Sequence, residues 1–296
     1  MTRVVEIPAS LDDRTFEQFA ASYGEPGGER LLFDAHGTTW ASPFGLIGIL
    51  VAGQALHESG AEKPLLTIPA DRSVASYWAR MGFFGFAEEF FEIHGKPPRS
   101  AARESDVLLE ITPVREVDDV HEVVRKIQER SAAILSHELG LEAQASIGFA
   151  MALSEACQNI VEHAGTHGWV SAQSYNWRKR LGRKVVLIAV SDAGIGFRRS
   201  LETSQAHLHG DRWNDARALE AALMQAVSRF RDAGRGQGLQ GIRRYLSRWD
   251  GMLGVRSGTA RINLIPEWTE DFPLVDNLAK FPGSQIQMII PEKVRK

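Results

Sequence analysis

Three polar side chains recur at four-residue spacing within residues 151–165, which read MALSEACQNIVEHAG. They are Glu155, Asn159 and His163, and the apolar residues of the same stretch also recur at helical spacing. Because an α-helix advances about 100° per residue, side chains four positions apart share one face. The spacing therefore predicts a helix that directs a carboxylate, a carboxamide and an imidazole at one place.

Two glycine-rich segments follow this helix along the chain. Asp192-Ala193-Gly194-Ile195-Gly196 comes directly after the apolar run KVVLIAVS, and GRGQGL at 234–239 opens a further helical pattern. Glycines after a strand let the backbone approach a ligand closely, and free N–H groups at a helix start attract phosphate oxygens. Such segments are suited to a bound nucleotide.

The polar side chains complement the same ligand. An amide oxygen from Asn159 suits Mg²⁺, a cation that keeps several waters and bridges phosphates. Glu155, one turn earlier, can orient or deprotonate an attacking group. Asp192, at the end of a strand, can accept a hydrogen bond from the exocyclic amine of adenine. These features together predict a site for ATP and Mg²⁺.

Each segment also has a purely structural interpretation. Polar residues on a buried helix often satisfy buried neighbours. Asp-x-Gly-x-Gly after a strand is often a tight turn, and a lone Gly-x-Gly-x-Gly is equally unspecific. Their joint occurrence in this order favours the nucleotide site over three independent turns and contacts.

The ordered motifs E-x-x-x-N-x-x-x-H, D-x-G-x-G and G-x-G-x-G-L resemble the N, G1 and G2 boxes of the GHKL ATPases. This superfamily is shared by DNA gyrase, heat-shock chaperones, mismatch-repair proteins and histidine kinases, and the resemblance covers about residues 117–291. It implies a Bergerat fold with ATP and Mg²⁺ as cofactors. No G-x-x-x-x-G-K-[ST] motif occurs, so the chain does not resemble a Walker-type protein.

The resemblance also implies a role for each matching residue. Glu155 would be the catalytic base, Asn159 would bind Mg²⁺, and Asp192 would bind the adenine amine. Residues from about 198 to 233 would form a flexible lid over ATP. The remaining cofactor-binding positions are the base-side turn and the phosphate segment: Gly194, Gly196, Gly234, Gly236, Gly238 and Leu239.

Among GHKL branches, the chain is most similar to the compact anti-sigma-factor serine kinases, in which a helix leads almost directly into the N box. The stretch SHELG at 136–140 superficially imitates the phosphoacceptor box of histidine kinases. It lacks the following proline and lies too close to Glu155 to leave room for a dimerising helical hairpin. We therefore favour the serine-kinase branch.

The N-terminal stretch LLFDAHGTTWASPFGLIGIL resembles the STAS fold of anti-sigma-factor antagonists, and this similarity covers about residues 1–111. The match places Phe44 at the usual phosphoacceptor position, so the hydroxyl is missing there. Ser42 is interpreted as the N-cap of a helix with Pro43 at its first position. The resemblance implies a regulatory or binding module rather than a substrate of the kinase.

The elements that position these residues fall into two groups. Residues 1–113 alternate strand and helix patterns, which predicts an α/β layer domain whose last strand is DVLLEI at 106–111. The resemblance implies that this domain is STAS-like. Residues 114–296 predict helices on one face of a mixed, mostly antiparallel sheet, which the GHKL resemblance implies to be a Bergerat-fold α/β sandwich. We expect an α/β protein of two domains with the boundary near Pro113.

Composition narrows the class of protein. The 296 residues are 44% hydrophobic and 24% charged, as in a soluble globular protein, and the net charge of −3 gives no global basic field for nucleic acid or membranes. A single cysteine, Cys157, permits neither an intrachain disulfide nor a cysteine zinc cluster. The N-terminus lacks the apolar run of a secretory signal, and the most apolar stretch, 44–56, is too short to span a bilayer. A cytoplasmic location is expected.

The leading functional hypothesis is an ATP-binding regulator resembling anti-sigma-factor serine/threonine kinases. It would transfer the γ-phosphate of ATP to a partner protein, an antagonist-like or sigma-factor-like regulator, in a partner-switching system. The alternative is an ATP-gated interaction switch with slow or no hydrolysis and no kinase activity. We expect no direct nucleic-acid partner and no membrane partner, and a homodimer is compatible with the pattern.

Overall fold

A parallel sheet and its helices occupy the N-terminal part of the chain. The computed structural model describes residues 2–99, 108–133, 143–177, 181–224 and 238–292. Its first elements are β1 (Thr2–Glu6), β2 (Ser10–Leu11), α1 (Phe16–Tyr23), β3 (Arg30–Asp34), β4 (Trp40–Ala41), α2 (Pro43–Glu58), β5 (Leu65–Thr67), α3 (Arg72–Arg80), α4 (Phe83–Phe90) and β6 (Glu92–His94). Strands β1, β3, β5 and β6 pair in that order, all in parallel, while β2 and β4 form a short parallel pair.

A larger antiparallel sheet follows. Its part of the chain contains β7 (Leu108–Val114), α5 (Val117–Ala133), α6 (Ala143–Asn159), β8 (Gly168–Trp177), β9 (Arg183–Asp192), α7 (Gly196–His209), α8 (Asp215–Met224), α9 (Gly238–Arg248), β10 (Met252–Gly258), β11 (Ala260–Leu264), β12 (Leu274–Val275) and β13 (Phe281–Pro291). The strand order is β12-β11-β10-β13-β9-β8-β7, and every pairing is antiparallel. Residues of α5 to α9 share one hydrophobic core with one face of this sheet. The predicted arrangement of helices on one face of a mostly antiparallel sheet is confirmed.

Strand β7 lies at the edge of the larger sheet, where it pairs with β8. The prediction that this run is the last strand of the N-terminal sheet is wrong. Leu109 and Val114 belong to the core under the helices, whereas Ile111 belongs to the core of the N-terminal part. Because both faces of β7 are covered, its apolar pattern does not reveal which sheet it joins. Pro113, near which the domain boundary is expected, lies within this strand.

Helix α2 connects the two parts of the protein. Thirteen of its 16 residues are buried. It packs against α4 and against β8, β9 and β13, so the N-terminal part covers the face of the larger sheet that its own helices leave open. A helix that is apolar all round belongs in such an interior. Across the described part of the chain, no helix combines the length and the apolar character needed to cross a bilayer.

The start of α2 is capped as predicted. The Oγ atom of Ser42 accepts a hydrogen bond of 3.1 Å from the backbone N–H of Gly45, and Pro43 occupies the first helical turn. Ser42 is fully buried, and the ring of Phe44 packs 4.8 Å from that of Phe16. Position 44, where the STAS resemblance would put the phosphoacceptor, therefore carries a phenyl ring inside the core.

The interior of α2 leaves no space for an added methyl group at Gly53. A Cβ there would lie 2.3 Å from Cε2 of Phe91. We expect Gly53→Ala to lower the free energy of unfolding by about 1–2 kcal/mol. The destabilisation from overpacking is larger than the stabilisation from the better helix propensity of alanine. Urea denaturation measures the change.

The matched control is Gly85→Ala in α4, where a Cβ would meet nothing within 4 Å. This variant should be as stable as the wild type or gain at most about 1 kcal/mol. A Gly53→Ala protein as stable as the Gly85→Ala protein would contradict the close packing of α2.

Candidate functional site

Glu155 and Asn159 lie one turn apart at the end of α6, as the spacing predicts. The helix then continues as a π-helical turn, Ile160–Ala164. A π turn is wider than an α turn, so the α-helical spacing that aligns Glu155 with Asn159 does not extend to His163. The ring Nδ1 of His163 lies 3.5 Å from Oγ of Ser200 in α7. The polar pair of the site is therefore Glu155 and Asn159, whereas His163 contacts the next helix.

The surroundings of Glu155 favour its protonated form. The side chain is about half-buried, and this burial, together with the negative charge of Glu162, raises the pKa of the Glu155 carboxyl. Glu162 itself accepts a hydrogen bond of 2.8 Å from Nε2 of Gln158. A carboxylate with a raised pKa takes up a proton more readily, which is the property that a general base requires.

Asn159 has an unsatisfied amide. Its Nδ2 atom is buried and has no hydrogen-bond partner among the described residues. A buried polar atom without a partner costs about 1–3 kcal/mol, so this donor would be satisfied by an acceptor atom of a water or a ligand. Amide nitrogen and oxygen exchange places by a simple flip, and an amide oxygen is a suitable ligand for Mg²⁺.

The donor set fits a metal held mainly by its nucleotide. Among the residues that the structure describes, no group of three or more His, Cys, Asp or Glu side chains is placed to hold a metal ion. A Mg²⁺ ion here would depend on Asn159 together with phosphate and water oxygens, which is how this cation is usually bound in nucleotide sites.

Asp192 is a buried carboxyl at the end of β9. It is 6% exposed, and its Oδ1 accepts a hydrogen bond of 2.9 Å from the backbone N–H of Gly194. Burial raises the pKa of Asp192 to about 6, although hydrogen bonds from Gly194 and Ser284 act in the opposite direction. A donor such as the exocyclic amine of adenine would stabilise the ionised form. The carboxyl is therefore poised for a hydrogen-bond donor near neutral pH.

Two glycines in the turn after Asp192 allow this turn to pack closely against neighbouring segments. A Cβ on Gly194 would lie 2.1 Å from the carbonyl oxygen of Ala164, the last residue of the π-helical turn. Gly196 has φ +69°, and a Cβ there would lie 2.6 Å from Oγ of Ser257 in β10. These glycines let the turn contact both the end of the α6 segment and the sheet. Asp192 and the helix that carries Asn159 are thereby brought together.

Of the predicted phosphate-binding segment at 234–239, the structure describes only the last residues. Gly238 is the first residue of α9, and Leu239 is buried in the core that also contains residues of α6. Helix α9 packs against α6, the helix of Glu155 and Asn159. Gly234 and Gly236 lie outside the described residues, as does the SHELG stretch at 136–140.

Most of the first part of the predicted lid is helical. Residues 198–212 and 215–224 belong to α7, a 3-10 turn (Gly210–Arg212) and α8. Leu201, Trp213 and Leu219 are buried in the core under the helices, so apolar contacts fix this region to the domain. The lid over residues 198–233 stays a prediction, because packing alone does not show whether these helices move and residues 225–233 lie outside the description.

Sequence reasoning missed a hydrogen-bond network that links α2 to the loop after the π-helical turn. Nε2 of the buried Gln54 lies 2.8 Å from Oε1 of Glu58, 3.1 Å from Oγ1 of Thr166 and 3.0 Å from the carbonyl oxygen of His167. Its Oε1 accepts a hydrogen bond of 2.7 Å from Nε1 of Trp169. Gln54 and Thr166 are 112 positions apart, so no local pattern in the sequence relates them.

The same network reaches the candidate site electrostatically. Thr166 donates a hydrogen bond to Glu58, and the negative charge of Glu58 adds to the raised pKa of Asp192. The N-terminal part therefore contacts the loop between α6 and β8 and contributes a charge that Asp192 senses.

A comparison with protein families agrees with this geometry. Residues 144–270 match the family described as histidine kinase-, DNA gyrase B- and HSP90-like ATPase. The match supports a GHKL-type ATPase domain in this range, and hence ATP binding, which is typically Mg²⁺-dependent in such domains. It includes Glu155, Asn159 and Asp192. No curated protein and no solved structure matches the chain.

Proposed function

We propose that the protein is a cytoplasmic, ATP-dependent regulator that transfers the γ-phosphate of ATP to a serine or threonine of a partner protein. One observation supports the nucleotide part: the turn after the buried Asp192 contacts, through Gly194 and Ala164, the helical segment that carries the unsatisfied amide of Asn159, within the range that matches the ATPase family. Glu155, one turn from Asn159, supplies the group that can accept a proton.

Within this proposal, each side chain has one task. Asp192 accepts the hydrogen bond of the adenine amine and becomes ionised as it does so. Asn159 offers its amide to Mg²⁺, which when bound neutralises phosphate charge. Glu155 takes the proton of the partner's hydroxyl as that oxygen bonds to the γ-phosphorus and the bond to the β-phosphate oxygen breaks. Its raised pKa suits this transfer.

The N-terminal part is proposed to be a STAS-like regulatory module and not the substrate. Phe44 stands at the matching phosphoacceptor position and is 6% exposed, and Ser42 is committed to capping α2. The accepting hydroxyl therefore comes from another protein, which we propose to be an antagonist-like or sigma-factor-like regulator. Neither a nucleic acid nor a membrane is part of the proposal, and a homodimer is compatible with it.

The contacts of Gln54 favour a second candidate function, an ATP-gated interaction switch without kinase activity. Gln54 and Glu58 join α2 to the loop that follows the helix of Asn159. Nucleotide binding at Asn159 and Asp192 would change that loop and, through it, the N-terminal part. No phosphate transfer is needed for such a response.

Calorimetry with ATP and Mg²⁺, followed by incubation with γ-labelled ATP and protein from the native cell extract, tests both functions. Saturable binding with label transferred to Ser or Thr of one partner is the expected result. Binding without transfer and without ADP release would favour the switch. Folded protein that fails to bind adenine nucleotides at millimolar concentration would contradict both.

A further inference from the structure

The segment of residues 164–168 connects the π-helical turn to β8 and lies between α2 and the turn that follows Asp192. Its two end residues contact β9 and the turn after it, whereas its middle residues, Thr166 and His167, contact α2. A displacement of the middle of this segment therefore reaches the backbone beside Asp192.

Backbone contacts fix both ends of the 164–168 segment to the surroundings of Asp192. The carbonyl oxygen of Ala164 accepts a hydrogen bond of 3.0 Å from the backbone N–H of Ile195. Gly168 pairs with Asp192 in the ladder of β8 and β9, and a Cβ on this glycine would lie 2.6 Å from the carbonyl oxygen of Ser191. Because close-packed backbone leaves no slack, the segment and the turn after Asp192 must move together.

The buried amide of Gln54 fixes the middle of the segment to α2. Its Nε2 donates to Oγ1 of Thr166 at 3.1 Å and to the carbonyl oxygen of His167 at 3.0 Å, while its Oε1 accepts from Nε1 of Trp169 at 2.7 Å. Gln54 is fully buried, so breaking these bonds would leave polar atoms without water or another partner. The segment is therefore held firmly against the N-terminal part.

The hydrogen bond from Thr166 to Glu58 differs from those of Gln54, because water can reach it. Oγ1 of Thr166 donates to Oε1 of Glu58, the last residue of α2, which is exposed, and Thr166 is only partly buried. Water could satisfy both groups if this bond were absent, so burial does not require it and it adds little to the stability of the fold. Its effect is to fix the middle of the 164–168 segment to the end of α2.

We propose that Thr166 is a positioning residue for the nucleotide site, a role that depends on the function proposed above for Asn159 and Asp192. Its hydroxyl, bonded to Gln54 and Glu58, keeps the 164–168 segment where the turn after Asp192 fits the bound nucleotide. The N-terminal part thus sets the nucleotide affinity without touching the nucleotide. Because linkage is reciprocal, bound nucleotide strengthens the same contacts, and an effector that displaces Glu58 from Thr166 lowers the affinity for ATP.

Thr166→Val and Thr166→Ser, both in the full chain, separate the hydroxyl from the shape of the side chain. Valine has nearly the shape of threonine but neither donates to Glu58 nor accepts from Gln54, whereas serine keeps the hydroxyl. In calorimetry with Mg²⁺, Thr166→Val should bind ADP about 5- to 20-fold more weakly than the wild type, and Thr166→Ser should stay within about twofold. Tm of the ligand-free protein should change by no more than about 3 °C in either variant.

Hydrogen exchange at the backbone N–H of Ile195 gives a second measurement that needs no nucleotide. This N–H donates to Ala164, so a displaced segment should make it exchange about 5-fold faster in ligand-free Thr166→Val than in Thr166→Ser. Thr2→Val, at an exposed position of the edge strand β1, removes a hydroxyl far along the chain. This control should change neither the exchange of Ile195 nor the affinity for ADP.

Equal ADP affinities of Thr166→Val and Thr166→Ser would overturn the proposal. A weakened Thr166→Val protein in which Ile195 exchanges as in the wild type would also overturn it, because the effect would then not pass through the 164–168 segment. A folded wild-type protein that binds no ADP would contradict the proposed function instead. The exchange of Ile195 would still decide whether Thr166 positions the turn, and unchanged exchange would refute that role.

Discussion

Replacing Asp192 with asparagine should weaken ATP binding about 100-fold and at the same time raise the unfolding temperature of the ligand-free protein. The loss of affinity follows because a charge-assisted hydrogen bond to the adenine amine becomes a neutral one in a buried place. Asp192 is 6% exposed, so water cannot replace the lost interaction. Calorimetry with ATP and Mg²⁺ measures the affinity.

The gain in stability follows from the pKa of this carboxyl. Burial raises the pKa of Asp192 from 3.8 to about 6, so the folded protein holds this proton more tightly than the unfolded chain. The stabilisation from that proton is complete below about pH 4 and is lost as pH rises through about 6. Near pH 7 the buried charge costs about 3 kcal/mol, and an asparagine side chain at this position would carry no such charge. We expect the variant to gain about 1–3 kcal/mol.

Measuring ATP affinity across pH separates the ionisation of Asp192 from other effects of pH on binding. Nucleotide affinity of the wild type should rise with pH through about 6, as Asp192 becomes ionised, in excess of the change seen in Asp192→Asn. The Asp192→Asn protein is the control for the wild type, because titration of the nucleotide phosphates affects ATP binding by both proteins equally. An Asp192→Asn protein with unchanged ATP affinity would remove the nucleotide site from this position.

Glu155→Gln should reduce phosphate transfer or ATP hydrolysis by about 10²- to 10⁴-fold while ATP affinity changes little. Glutamine has nearly the same shape as glutamate but cannot accept the proton of the attacking hydroxyl. The assigned ATP contacts, Asn159 and Asp192, remain in place. Single-turnover transfer and ATP binding, measured on the same preparation, give the two quantities.

Glu162→Gln is the matched control for Glu155→Gln. The charge of Glu162 contributes to the raised pKa of Glu155, so its removal should lower that pKa and shift the acidic limb of the rate profile to lower pH. The plateau rate should change little, because Glu162 is not assigned to the reacting groups. A Glu155→Gln enzyme that turns over as fast as the wild type would eliminate Glu155 as the base.

Local patterns in the sequence were sufficient for many elements. The helix that carries Glu155 and Asn159 and the Ser42 cap both depend on neighbours within a few positions. Cys157, on the same helix, is fully buried, and burial raises the pKa of its thiol to about 12. In each case the deciding interactions lie along one helix or turn.

Features that depend on distant parts of the chain were not predicted. Ile111 and Leu109 of β7 face different cores, so alternation did not identify its sheet. The segment that the family resemblance implied to be a lid contains packed helices, with Leu201 and Trp213 buried in the core. The π-helical turn, helix α4, strand β6 and the contacts of Gln54 with Thr166 also lacked a local signal.

The common core has a consequence for how the two halves can communicate. Trp169, Leu187 and Ile289 of the larger sheet are buried in the same cluster as Phe16 and Phe33 of the N-terminal half. Separating the two halves would expose that apolar surface to water. The free-energy cost would exceed the binding free energy of a weakly bound effector. A signal from one half must therefore reach the other through a change in packing at an interface that stays closed. The protein should accordingly melt as one body and lose solubility when either half is cut away.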